Sequence, residues 1–140
     1  AGFSNGYISL YEISNIQPLL ILEPAEQAKQ SLLRVFLRQG SNPTLFYAIH
    51  SYGLLLAWDL AKSKKPESMD DLNLKDGSEV TTAELWQYVA ISSNSYTNLL
   101  AIGFSNGEVH LHELSKLSTD RDSRKRNKSL SNAIKVFMDI

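Results

Sequence analysis

The sequence predicts an all-β chain built from one antiparallel unit used three times. The pentapeptide GFSNG occurs at residues 2–6 and again at 103–107. Each copy runs into an alternating stretch, YISLYEI in the first and EVHLHEL in the second. A further copy, AIHSYGLLLAWDL at residues 48–60, carries Gly53 where the others carry Gly6 and Gly107. Asn-Gly between alternating apolar residues is a hairpin signal, because both residues tolerate the positive φ of a tight type I′ turn. The glycine spacings are 47 and 54 residues, so the turn belongs to a long repeating unit.

The elements follow in chain order. GFSNGYISLYEI reads as strand, turn, strand, with Ile8 and Leu10 on one face. A strand at residues 19–22 is expected to close this unit. Residues 26–30 (EQAKQ) are a short insertion that starts a helical turn. The next unit opens with a strand at 32–38, a Gly-Ser-Asn-Pro turn, and a strand at 45–50. The strand after Gly53 places Leu55 and Ala57 where the first copy has Ile8 and Leu10, and the last copy has Val109 and Leu111. Residues 62–76 (KSKKPESMDDLNLKD) read as a polar surface loop, and 79–83 as the closing strand. The last unit has strands at 87–92 and 99–104 before its GFSNG turn. Ile134–Met138 is its candidate closing strand, reached across the charged stretch 115–131.

The blade-like ending LLLAWDL and the variant AIGFSNGEVHLHEL resemble the WD-repeat β-propeller family. The likeness covers roughly residues 1–60 and 85–114. One copy ends in Trp-Asp and the others in Tyr-Glu and His-Glu, no early Gly-His dipeptide occurs, and the spacings exceed the usual period of about 40–45 residues. The resemblance implies a divergent, partial propeller of about three four-stranded blades. Its parts are a blade end at 1–24, a blade at 31–60 with a loop at 61–77, a blade at 78–114, an insertion at 115–131 and a closing strand at 132–140. Closed propellers need about 4–8 blades, and Ala1 falls inside a motif copy, so the expectation is a segment of a larger ring. The alternative is an antiparallel β-sandwich. It gives no reason to reuse one turn in register with one acid.

Composition narrows the function classes. Hydrophobic residues make up 43% of the chain, enough to build a core. A formal net charge of −1 offers no general attraction to nucleic acid or membrane. The absence of cysteine excludes disulfides and thiolate metal sites. No apolar run approaches the roughly 18 residues of a membrane span.

No catalytic, cofactor-binding or metal residues are nominated. His110 and His112 share one strand face and could ligate a metal, but His112 holds the slot of Tyr11 and Trp58, so packing explains it. His50 reads as a structural hydrogen-bonder. Glu12, Asp59 and Glu113 recur at one repeat position and read as caps of backbone groups at strand ends. Asp70 and Asp71 lack supporting groups for a cation. No Gly-x-Ser-x-Gly elbow or Gly-rich phosphate cradle occurs.

The candidate partner-binding residues are Tyr52, Tyr96 and Trp86, since aromatics dominate interface hot spots. Arg124, Lys125, Arg126 and Lys128 match a short nuclear-import pattern in a stretch without apolar periodicity. Ser129 beside them is a candidate phosphate acceptor that would cancel the local charge. The acids Asp120 and Asp122, and the lack of interleaved aromatics, argue against nucleic-acid binding.

The expected function is a non-enzymatic scaffold or adaptor. It would bind other proteins within a multi-subunit complex, intracellular and nuclear rather than cytoplasmic, with no small-molecule substrate and no membrane. The alternatives are a propeller-type enzyme whose active site lies in blades outside this sequence, and a cytoplasmic vesicle-tethering subunit.

Overall fold

The computed structural model describes residues 1–24, 30–37, 44–90 and 95–114, the side chains of 88–90 and 95–97 excepted. It is all-β, with nine strands in three antiparallel sheets among the described residues, none closed into a barrel. The first sheet pairs β1 (Ile8–Leu10) with β2 (Leu20–Leu22). The second runs in chain order through β3 (Leu32–Leu37), β4 (Leu45–His50), β5 (Leu54–Asp59) and β6 (Ser68–Asp71). The third runs through β7 (Val80–Ala90), β8 (Ser95–Phe104) and β9 (Val109–Leu114).

The three turns share one hydrogen bond. Gly6 N–H donates to Phe3 O at 3.0 Å, Gly53 N–H to His50 O at 2.9 Å, and Gly107 N–H to Phe104 O at 3.0 Å. The glycines lie at φ of 86°, 103° and 90°, in the left-handed region. This corrects the expected turn type. Glycine is the fourth residue of each turn, and Asn5 and Asn106 are the third, whereas a two-residue type I′ loop needs Asn-Gly at the two central positions. The asparagine carboxamides then accept from the chain two residues on, Tyr7 N–H at 3.2 Å and Glu108 N–H at 2.9 Å.

The sheets stack face to face in chain order. Every residue of β4 and β5 is buried, which requires cover on both faces of the second sheet. Alternation divides those residues between two cores. Phe46, Ala48, Leu54, Leu56 and Trp58 pack with Ile8 and Leu22 of the first sheet. Tyr47, Ile49, Leu55 and Ala57 pack with Ala83, Leu100, Ile102 and Phe104 of the third. Trp58 is fully buried and stacks on Phe46 at 5.2 Å with planes 8° apart. A two-layer sandwich has one such interface, and this chain has two. Arg34 of β3 adds a clasp to β7. It donates to Ala83 O at 2.7 Å, ion-pairs with Glu84 and lies over the Phe36 ring.

Two element assignments change. The strand that closes the second sheet is β6, inside the stretch expected to be loop, and not residues 79–83. The sequence SMDD lacks apolar alternation because β6 is an edge strand, paired on one side and largely exposed. Residues 80–83 instead begin β7, an 11-residue strand longer than the expected 87–92. Its inward Ala83 and Leu85 alternate with Thr82, Glu84 and Trp86, a weak apolar signal. The expected strand at 134–138, the Gly-Ser-Asn-Pro turn and the short insertion before Gln30 lie outside the described residues.

Candidate functional site

Two surfaces result from this stacking. The first is a cleft of about 280 Å³ between the second and third sheets, beside β9. Leu55 and Ala57 of β5 line it with Ser68 and Asp70 of β6, and His112, Glu113 and Leu114 of β9 border it. Nε2 of His112 is buried and has no hydrogen-bond partner among the described residues. Burial, and then the nearby His110, pull the His112 pKa below the usual imidazole value, so this ring is neutral at pH 7. His110 points its Nε2 at Glu108 Oε2, 2.7 Å away, and meets the edge of Phe104. The two imidazole centroids are 6.0 Å apart. Among the described residues no group of three or more His, Asp or Glu side chains is placed to hold a metal.

The second surface is the outer face of the third sheet. Register places Trp86, Leu99, Ala101, Val109 and Leu111 on this face, opposite to the one packed on the second sheet. Val109 and Leu111 are 71% and 72% exposed, and Trp86 62%. By repeat position Val109 and Leu111 correspond to Leu55 and Ala57, which are 2% and 3% exposed beneath the third sheet. The outer face of the first sheet likewise exposes Tyr11 and Ile21. Alternation marks a buried face and cannot by itself say whether a neighbour covers it. Repeat position was the available signal: a terminal copy lacks the cover that an internal copy has.

The nominated residues fall in different places. Tyr52 is at the tip of the β4–β5 hairpin and 40% exposed. Its N–H donates to Gln30 Oε1 at 3.1 Å, and its phenol pKa is raised by a hydrogen bond to Glu79 and by that carboxylate's charge. Trp86 lies opposite Leu99 within the outer face, so the two aromatics do not form one patch. Tyr96 pairs through its backbone with Val89, and its side chain lies outside the described residues. Arg124, Lys125, Arg126, Lys128 and Ser129 also lie outside them.

The recurring acid has a defined role in the middle unit. Asp59 is buried, and its Oδ1 accepts from Thr44 Oγ1 at 2.8 Å and from Ala61 N–H at 3.0 Å. It therefore ties the start of β4 to the turn after β5. His50 is fully buried, with Nδ1 3.1 Å from Gln30 O, and burial lowers its pKa. Among the described residues no helix is long and apolar enough to cross a membrane.

No family model matches the chain, and no curated protein matches it.

Proposed function

We propose that this chain is a blade stack of a divergent WD-repeat-type β-propeller, acting as a non-enzymatic scaffold for protein partners in a multi-subunit, nuclear complex. The observation that carries the reading is the middle sheet, buried on both faces between copies that share its turn hydrogen bond. Radial stacking of small antiparallel sheets is the packing of propellers. On this reading the outer faces bearing Tyr11 and Trp86 take further sheets, and partners meet the hairpin tips and connecting loops. Tyr52 is the rim residue best placed to contact them, being exposed, aromatic and held by Gln30 and Glu79.

The test is affinity purification of the tagged chain from nuclear and cytoplasmic extracts, with quantitative mass spectrometry, beside a Tyr52→Ala variant of unchanged thermal stability. A stoichiometric nuclear partner set that the variant loses supports the scaffold reading. Absence of any stoichiometric partner, or a set indifferent to Tyr52, contradicts it.

A further inference from the structure

We infer that Asn106 is a deamidation site, and that its products set a second carboxylate against Asp76 and undo the clasp between the β6–β7 connection and the β8–β9 hairpin. Asn-Gly is the dipeptide most open to this chemistry, because glycine has no Cβ to hinder attack by its own nitrogen. The chain contains it twice, at Asn5-Gly6 and Asn106-Gly107, each time after the same Gly-Phe-Ser. Both turns close with the same backbone hydrogen bond, and both carboxamides accept from the N–H two residues on. Local sequence and turn therefore do not separate the two sites.

Their surroundings do. Both asparagines are exposed, but Gly6 is buried and Gly107 is exposed. Among the described residues a Cβ at Gly107 would meet no atom within 4 Å. In the first step the Gly107 nitrogen gives its proton to solvent and attacks Asn106 Cγ. The new N–Cγ bond closes a five-membered imide, the Cγ–Nδ2 bond breaks, and Nδ2 takes a proton from solvent and leaves as ammonia. Water then opens the imide. Cleavage at Cγ leaves aspartate, and cleavage at the main-chain carbonyl leaves isoaspartate. The turn must open for the attack, since Gly107 N–H is bound to Phe104 O. At the exposed tip water replaces that bond and accepts the proton. At Gly6 the nitrogen is withdrawn from water, and freeing it there leaves a buried donor without a partner.

The product acts on a specific clasp. Asn106 Nδ2 donates to Asp76 Oδ2 at 3.0 Å, and Asp76 Oδ1 accepts from Ser78 N–H at 2.9 Å. Beside them Ser105 N–H donates to Glu79 O at 2.8 Å, and Glu79 N–H to Ser105 Oγ at 3.0 Å. Hydrogen bonds from Ser78, then from Asn106, hold the Asp76 carboxyl below the usual carboxylate range, so it is charged at neutral pH. A carboxylate at position 106 has no N–H to offer it and repels it. Isoaspartate also adds a main-chain carbon to the turn. The Tyr52 phenol bonds to Glu79, so the clasp underlies the rim assigned to partners. That last link rests on the scaffold reading, whereas the chemistry does not.

The test incubates the full folded chain at mildly alkaline pH beside a guanidinium-unfolded sample. Peptide mass mapping follows deamidation at each asparagine. Taken relative to its own unfolded rate, Asn106 is expected to react at least about fivefold faster than Asn5, the scale of one buried backbone polar group. Equal ratios, or Asn5 reacting first, would overturn the site. Deuterium exchange on fresh protein reads the consequence. Asn106→Asp should speed exchange of the Glu79 and Ser105 amides by at least about threefold. Asp76→Asn/Asn106→Asp should restore it, because the swapped pair again joins a carboxamide to a carboxylate. Unchanged exchange in the single variant, or no recovery in the double, would overturn the clasp. Neither readout involves a partner, so failure of the scaffold reading leaves both standing.

Discussion

Leu55 and Leu111 offer the sharpest comparison in the molecule. Both lie on the third strand of their hairpin unit, and both point toward where a following sheet would stack. Leu55 is 2% exposed because the third sheet covers it, whereas Leu111 is 72% exposed. Truncating a buried leucine to alanine costs about 2–5 kcal/mol, the spread reflecting how far the site can relax. Leu55 borders the cleft, which lets neighbours and water adjust, so the lower part of that range is expected, about 2–3 kcal/mol. Leu111→Ala should cost less than about 1 kcal/mol, the scale of a surface change plus one cross-strand pair. Urea unfolding followed by tryptophan fluorescence separates them. At slopes of about 1–3 kcal/mol/M, Leu55→Ala lowers the midpoint by about 0.7–3 M, and Leu111→Ala moves it less at the same slope. Equal shifts for the two variants would refute the stacking order.

Further outcomes follow from the same geometry. Among the described residues a Cβ at Gly107 meets no atom within 4 Å, so Gly107→Ala costs only its positive φ, about 1–2 kcal/mol, whereas a Cβ at Gly53 also meets the Leu72 backbone at 3.0 Å; thermal melts should rank Gly53→Ala below Gly107→Ala. Asp59→Ala leaves the buried Thr44 hydroxyl and the Ala61 N–H without their acceptor and should cost about 1–3 kcal/mol, with Asp59→Asn milder because it keeps an oxygen there. His50 has a lowered pKa in the folded chain, so the unfolded chain binds its proton more readily. Its contribution to stability is complete above about pH 6.5 and is lost as pH falls below that value. Chemical denaturation between pH 7.5 and 5 should show a stability decline that His50→Gln reduces.

Much of the fold was legible because the turn glycines are constrained by backbone sterics rather than by distant contacts. Gly6, Gly53 and Gly107 mark three hairpins, and the alternation after them gave the strand faces. The turn type was misjudged since Asn-Gly fits more than one hairpin, and only the hydrogen bond fixes which residue is fourth. β6 escaped notice because an edge strand such as SMDD needs one hydrogen-bonded side and no buried face. The surfaces were harder still. Trp86 and Tyr52 are both aromatic, yet one stands on a sheet face and the other on a hairpin tip, a difference set by neighbouring sheets and absent from local sequence. The cleft beside β9 depends on how many strands each sheet carries, which no single repeat reveals.

The most direct test of three stacked sheets is a methyl NOE map of the isotope-labelled chain. Neighbouring leucines of β5 should report different sheets: Leu54 and Leu56 to Ile8 and Leu22, and Leu55 to Leu100 and Ile102. That split is the predicted result. Contacts from Leu55 and Leu56 to the same sheet, or from only one of them to any second layer, would contradict it.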